Sequence, residues 1–285
     1  MGCYKLRRGR ISDTFIRYYL FLDMNRILLA LYHQDDLAQY RRQAERVNGG
    51  LELHAFADPA VLAADGDLAR LVAAYERGLE GFDGPLGFHG AFYDMVSASV
   101  DPDVASLTLQ RYRQNLHIAS RLKGEYVVFH ANYMGGFKLA NYRPGWHRRQ
   151  VAFWRAFMED VTEQHPVVLV ENMWADEPSI IASLLEEVAH PQFRACLDIA
   201  HVALYSQHSI YEWIDALEPY LYCCHLNNHD GQLDLHWPLN RGVIDYPPIL
   251  ATLRRLRRAP LLVLELPDLG SIEASLPLLG GVASA

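Results

Sequence analysis

Short apolar segments alternate with longer amphipathic segments along most of the chain. Each apolar segment is rich in Val, Leu, Ile and aromatic residues and ends in polar or charged residues, which is typical of strands buried in a parallel sheet. Eight such segments occur, at residues 26–32, 50–56, 86–93, 126–133, 167–174, 193–201, 221–227 and 261–267. Their regular recurrence predicts a repeated strand–helix unit.

The segments between the predicted strands have the spacing of helices that pack on one face. Residues 178–190 are the clearest case, because Ile181, Leu184, Leu185 and Val188 recur at helical intervals. Pro178 stands where the first helical turn is expected, a position that tolerates a missing backbone N–H. The pattern therefore predicts a helix between the fifth and sixth strands.

Eight strands that alternate with helices indicate an α/β protein with a single (β/α)8 TIM barrel. A doubly wound open sheet is the alternative, but it usually has fewer strands and often a glycine-rich first turn, and no GxGxxG motif opens this chain. We expect the barrel to span residues 24–285. Residues 1–23 begin with basic residues and continue with aromatic ones, and we interpret them as an N-terminal extension outside the native barrel.

Composition narrows the classes of function. The chain has 285 residues, a hydrophobic content of 51% and a formal net charge of −8, which excludes a disordered or fibrous protein. The negative charge argues against nucleic acid as a partner. No apolar run is long enough to span a membrane, and we see no clear secretory signal, so we predict a cytoplasmic protein.

Acidic and imidazole side chains stand at the carboxyl ends of nearly all the predicted strands. A single residue of this kind is most often a loop residue or a satisfied core group. We interpret His33, His54, His165, His190 and His208 in that way, and Glu52 stands beside His54 in the second strand. Glu171 and Glu265 are harder to dismiss, because each follows a run of four apolar residues and would be costly to bury unpaired. Asp198 and His225 also end apolar runs, so four consecutive strands deliver ligands suited to a divalent metal.

These motifs resemble the xylose isomerase-like TIM barrels, a superfamily that includes sugar isomerases, epimerases and the endonuclease IV family. The resemblance covers roughly residues 24–269 and rests on Glu171-Asn172-Met173, on residues 196–201 and on residues 225–245. For epimerase-type members it implies one Mn, Mg or Co ion held by Glu171, Asp198, His225 and Glu265. For endonuclease IV-type members it implies up to three zinc ions, with five further ligands: His89, His130, His201, Asp234 and His236.

The chain also departs from the pattern of its relatives. Ketose epimerases carry an Arg shortly after the His of strand seven, whereas residues 227–231 contain none. Asn240-Arg241-Gly242 replaces a common Gly-x-Gly, so Arg241 is a candidate for an anionic substrate group or an exposed loop residue. Glu177 is a candidate substrate ligand or a carboxylate in the first turn of a helix. Further candidates for the walls of the substrate site are Tyr133, Trp174 and Trp237.

Three hypotheses follow. The first is a metal-dependent isomerase or epimerase of a sugar, sugar phosphate or related polyol, in which Glu171 and Glu265 transfer a proton next to a carbonyl. The second is a multinuclear zinc phosphoesterase similar to endonuclease IV. The third is a barrel that binds carbohydrate without catalysis. We favour the first, with a small carbohydrate-like substrate, and take a homodimer as the default assembly.

Overall fold

The computed structural model describes residues 27–137 and 139–280. Eight parallel strands form a closed ring in chain order, and β1 pairs with β8 to complete it. The strands are β1 (Ile27–Leu31), β2 (Gly50–Leu53), β3 (Leu86–His89), β4 (Tyr126–His130), β5 (Val167–Glu171), β6 (Phe193–Asp198), β7 (Leu221–Leu226) and β8 (Leu261–Leu264). The predicted single (β/α)8 barrel is confirmed.

Ten α-helices cover the outside of this ring in the described part of the chain. They are α1 (Leu37–Arg46), α2 (Pro59–Ala63), α3 (Asp65–Gly78), α4 (Pro102–Arg121), α5 (Tyr142–Met158), α6 (Ser179–Val188), α7 (Ile199–Tyr205), α8 (Ile210–Leu217), α9 (Tyr246–Leu253) and α10 (Leu269–Ser275). Two 3-10 turns, Gln34–Asp36 and Leu276–Leu279, precede α1 and follow α10. None of the described helices is long and apolar enough to cross a membrane.

The core has two layers because successive strand residues point to opposite faces. The larger layer lies between the strands and the helices. The smaller one lies inside the ring, and we call it the interior apolar layer: it comprises Leu28, Ala30, Tyr126, Val128, Leu169, Cys196, Cys223 and Val263. As expected for neighbours in a strand, Cys223 faces the interior while Cys224 packs with the outer layer.

The strands are shorter than the apolar segments that predicted them. β5, for example, ends at Glu171 rather than at residue 174, and β6 ends at Asp198 rather than at residue 201. These two strands end at the acidic residues that close the apolar runs, Glu171 and Asp198, and the side chain of Asp198 caps the helix that follows. His201 consequently lies in α7 and not in a strand.

Two other expectations can be compared with the structure. The predicted helix over residues 178–190 is observed as α6, which begins and ends slightly inside those bounds. The predicted extension, residues 1–23, lies outside the described residues, as do residues 24–26 where we expected the barrel to begin.

Candidate metal centre

Four of the predicted ligands lie at the carboxyl ends of consecutive strands. Glu171 and Asp198 are the last residues of β5 and β6, His225 is the penultimate residue of β7, and Glu265 directly follows β8. The register places Asp198 opposite His225, and Glu171 opposite Cys196. We call Glu171, Asp198, His225 and Glu265 the donor cluster.

The donor atoms of this cluster lie close together. One donor atom each from Glu171, Asp198 and His225 falls within a group whose members are all within 4.8 Å of one another. His225 Nδ1 lies 3.5 Å from Glu171 Oε2 and 3.3 Å from Glu265 Oε2. The two glutamates therefore face the same imidazole nitrogen, although they come from strands that lie three positions apart in the ring.

A second group of donors adjoins the cluster on the side of β3 and β4. His89 and His130 end these strands, and their Nε2 atoms lie 3.2 Å apart. They lie 3.6 Å and 3.5 Å from Glu171 Oε2, respectively. Glu171 is thus shared between two candidate sites.

A third group lies toward the loop that follows β7. His201 Nδ1 is 3.0 Å from Glu171 Oε1, and His201 Nε2 is 3.3 Å from Asp234 Oδ2. The other oxygen of Asp234 lies 3.4 Å from His236 Nε2. His236 Nδ1 donates to the Glu265 backbone carbonyl at 2.8 Å, which aims Nε2 at Asp234. The structure therefore brings all nine predicted ligand positions to one mouth of the barrel.

Local structure explains how two of these side chains are held. The carboxylate of Asp198 accepts the backbone N–H of His201 at 2.6 Å and so caps the N-terminus of α7. Asn172 donates to the Asp198 carbonyl at 3.0 Å and accepts its N–H at 2.7 Å. These paired hydrogen bonds fix the ends of β5 and β6 relative to each other.

Burial and charge compete strongly in the donor cluster. Burial raises the pKa of Asp198 to about 7, with the nearby His201 opposing the shift. Burial also disfavours a charged Glu265, but His225 and His236 lower the pKa of its carboxyl to about 2. His130 and His201 hold the pKa of Glu171 well below its usual range despite the same burial.

The imidazoles show the complementary effect. Burial disfavours their charged forms, but Glu265 and Asp234 raise the pKa of His236 to about 10. Glu52 and Glu265 raise the pKa of His225 well above its usual range, against the same penalty. The buried carboxylates thus require positive charge beside them, which either protons or a cation can supply.

Buried donor atoms without hydrogen-bond partners are a second reason why this centre fits a divalent cation. Glu171 Oε2, His201 Nδ1 and His225 Nδ1 are buried, and none has a hydrogen-bond partner among the described residues. Leaving such atoms unsatisfied is costly, and a cation is the partner that suits a carboxylate oxygen and two imidazole nitrogens together. The donor types suit Mn, Co, Mg or Zn.

Glu52 lies beneath this centre and is paired with His54, although neither residue was predicted to belong to it. Glu52 is fully buried and lies 3.2 Å from His225 Nε2. Glu52 lies between Leu51 and Leu53, so the cost of burying an unpaired carboxylate, which selected Glu171, applies to it as well. It was missed because Glu52 stands inside its strand rather than at the end.

The candidate substrate residues surround the mouth with different degrees of exposure. Trp174 is 40% exposed and has a left-handed backbone (φ 57°), and with Met134, Phe137 and Tyr205 it lines a groove of about 590 Å³. The Arg241 guanidinium stacks 4.0 Å from the ring centre of Trp237.

Two other candidate substrate residues, Glu177 and Tyr133, are paired or buried. Glu177 Oε1 is 2.6 Å from Arg143 Nη1, and Glu177 also accepts from Ser179 in the first turn of α6. The structure thus places Glu177 at the start of a helix, as its alternative interpretation requires. Tyr133 is buried, with its ring 5.0 Å from that of Trp146.

Comparison with known proteins identifies the family. The sequence model for the xylose isomerase-like TIM barrel matches residues 49–279, and the chain belongs to this family. No curated protein matches the chain.

Solved structures with the same fold include proteins of different activity. The TTHB071 protein from Thermus thermophilus, from a crystal soaked with ZnCl2, is 25% identical with a TM-score of 0.69, covering 90% of this chain and 98% of its own. The 3-keto-D-glucoside 4-epimerase YcjR from E. coli is 13% identical with a TM-score of 0.64, covering 82% and 90%. Endonuclease IV from Thermus thermophilus is 18% identical with a TM-score of 0.61, covering 89% and 98%. The last two similarities show the shared fold alone.

Proposed function

We propose that this protein is a divalent-metal-dependent isomerase or epimerase of a sugar, sugar phosphate or related polyol. The observation that carries the proposal is the pair of buried carboxylates, Glu171 and Glu265, that face one nitrogen of His225 at 3.5 Å and 3.3 Å. Two carboxylates beside one cation position suit proton transfer at a carbon next to a carbonyl. Epimerases among the proteins with this fold agree with the proposal.

The donor cluster would hold the cation through Glu171, Asp198, His225 and Glu265. When bound, the cation would supply positive charge that stabilises negative charge on substrate oxygens. Glu171 and Glu265 would exchange a proton with the substrate carbon, one carboxylate removing it and the other returning it. Trp174 and Trp237 would contact the apolar faces of the sugar, and Arg241 would contact an anionic group where the substrate has one.

The experiment measures the incorporation of deuterium from the solvent at a substrate carbon. The full chain, loaded separately with Mn²⁺, Co²⁺ and Mg²⁺, is incubated in D₂O with a panel of aldoses, ketoses and their phosphates, and deuterium next to the carbonyl is measured by NMR. We expect incorporation with at least one sugar and its loss in Glu171→Gln. Glu125→Gln is the matched control, because Glu125 is adjacent to β4 at the opposite end of the barrel. Failure of every sugar to exchange, with metal bound, would overturn the proposal.

A multinuclear zinc phosphoesterase is the second candidate. Two further groups of donors favour it: His89 and His130 beside Glu171, and Asp234 between His201 and His236. Neighbouring zinc ions would supply charge that stabilises an in-line displacement at phosphorus. In that case His89, His130, Asp234 and His236 would hold the additional ions.

Metal content separates the two candidates. Protein purified without chelator and then equilibrated with Zn²⁺ is analysed by mass spectrometry, and hydrolysis of bis(4-nitrophenyl) phosphate is measured on the same sample. One ion per chain without hydrolysis favours the isomerase. Two or three ions with hydrolysis that is lost in His130→Asn favour the phosphoesterase.

A further inference from the structure

A buried carboxylate lies directly beneath the donor cluster. Glu52 is in the middle of β2, fully buried, and its side chain enters the barrel interior beside the interior apolar layer. A carboxylate in such a position is costly unless hydrogen bonds or positive charge compensate it. Its contacts therefore indicate why it is there.

Glu52 has three partners. The Tyr126 hydroxyl donates to Glu52 Oε2 at 2.6 Å, and His54 Nε2 lies 2.8 Å from Glu52 Oε1. The third partner is His225, whose Nε2 lies 3.2 Å from Glu52 Oε1 and 3.3 Å from Oε2. Tyr126 and His54 thus hold the carboxylate in place, and both of its oxygens face the ring of His225.

The sheet is built to allow this contact. Glu52, Gly87 and Tyr126 are register neighbours across β2, β3 and β4. A Cβ atom on Gly87 would approach the Tyr126 ring to within 2.2 Å, so the glycine leaves the space through which Tyr126 reaches Glu52. Gly87 and Tyr126 together therefore support the position of Glu52.

The two ring nitrogens of His225 face different surroundings. Nε2 faces Glu52 below, whereas Nδ1 faces Glu171 and Glu265 above and has no hydrogen-bond partner among the described residues. A carboxylate acceptor keeps the proton on Nε2 and leaves the lone pair of Nδ1 for a cation. The ring is oriented at the same time, because rotating it would break the contact with both oxygens of Glu52.

We propose that Glu52 is a positioning residue for the metal centre, acting through His225: it holds the Nε2 proton and so presents Nδ1 to the cation. The inference rests on the proposed function, since it assumes that the donor cluster binds a metal. Glu52 is fully buried beneath His225, so its effect is exerted through that ring.

The first test measures metal affinity by titration calorimetry with Zn²⁺ and Mn²⁺ on the full chain. Glu52→Gln keeps the volume and removes the charge, and we expect metal affinity to fall by about 10–100-fold, as for other carboxylates that orient a ligating His. Tyr126→Phe is the matched control, because it removes one hydrogen bond from the same carboxylate and leaves the pair with His225 intact. Because Tyr126 helps to hold Glu52 but does not contact His225, we expect a loss of metal affinity well below that of Glu52→Gln.

A purely structural role for Glu52 predicts a different result. In that case both variants would lose thermal stability, and metal affinity would be equal in the two or would follow stability alone. That outcome would overturn the inference. If Glu52→Gln does not fold, Glu52→Asp replaces it, with the same expected direction and the Tyr126→Phe control unchanged.

The second test observes the His225 ring directly. In zinc-loaded protein labelled with ¹⁵N at histidine, we expect a protonated Nε2 with a downfield, slowly exchanging proton. This resonance should move upfield or disappear in Glu52→Gln and persist in Tyr126→Phe. A zinc-loaded wild type in which Nδ1 carries the proton would overturn the inference.

Failure of this inference differs from failure of the proposed function. If the wild type binds no divalent cation, the metal centre itself is wrong, and the inference falls with it. If the wild type binds the cation and Glu52→Gln binds it equally well, only the role of Glu52 is wrong.

Discussion

The two levels of the barrel interior are built from the same strands and have opposite chemistry. Leu169, Cys196, Cys223 and Val263 belong to the interior apolar layer, and each stands two residues before a member of the donor cluster. Val128 stands in the same way before His130. Because side chains repeat on one face of a strand at every second residue, each of these strands contributes an apolar residue below and a donor above.

This difference shows how a single barrel can hold several buried charges at one point. The apolar layer lies directly below the donor cluster, whose members are buried and therefore lie in a medium of low dielectric constant. Electrostatic interactions are stronger there than in water. The charged level therefore supplies the donors, while the apolar level supplies the packing that keeps the strands together.

Removal of the central carboxylate is expected to have the largest effect. Glu171→Gln should lower metal affinity by more than about 100-fold. Residues that only orient a ligand cost up to about 100-fold when removed, and Glu171 is proposed to be a ligand itself. It should also lower turnover by about 10²–10⁴-fold through loss of a general base. The metal-free protein should also lose thermal stability, because His130 and His201 are then buried without the carboxylate that compensates their charge. Calorimetric titration and thermal unfolding of the same samples measure both effects.

A substitution in the interior apolar layer is expected to lower stability and leave metal affinity unchanged. Leu169→Ala leaves a cavity in the interior apolar layer, where Leu169 is fully buried, and should lower the free energy of unfolding by about 2–5 kcal/mol. Metal affinity should stay close to that of the wild type, measured where the variant is folded. A large loss of affinity in Leu169→Ala would mean that the two levels are coupled and would contradict the comparison.

A cation bound at the donor cluster should raise the free energy of unfolding. At a free metal concentration of about 100 times the dissociation constant, we expect about 2.7 kcal/mol of added stability, because the cation binds the folded state and not the unfolded one. Thermal unfolding with increasing Mn²⁺ or Zn²⁺, reversed by chelator, measures the effect. Glu171→Gln should show no such shift, and an equal shift in that variant would place the stabilising ion elsewhere.

The smallest effect is expected outside both levels. Ser209 and Glu212 form a capping box at the start of α8, with the Ser209 side chain accepting the backbone N–H of Glu212. Ser209→Ala should cost about 1 kcal/mol of stability. Metal affinity and turnover should not change. A change in either would show that the mouth responds to general loss of stability, which would weaken every comparison above.

Most of the donor residues at the barrel mouth could be predicted from the sequence because they follow apolar runs. Glu171 and Glu265 were selected by the cost of burying a carboxylate, and both are buried. Glu52 satisfies the same criterion and was missed, since it stands inside its strand, and its partner His225 lies 173 residues away. His201 was assigned to a strand and lies in a helix, because the cap formed by Asp198 starts α7 within the predicted strand.

The sequence by itself determined the strand–helix rhythm and the chemical character of each strand end, because hydrophobic periodicity and the cost of burying charge act over a few residues. Only the tertiary structure decided which donors face one another, which nitrogen of His225 faces the mouth, and which carboxylate lies beneath it. Those relations depend on the register of neighbouring strands and on closure of β1 against β8. No local pattern encodes them, since each joins residues that are distant along the chain.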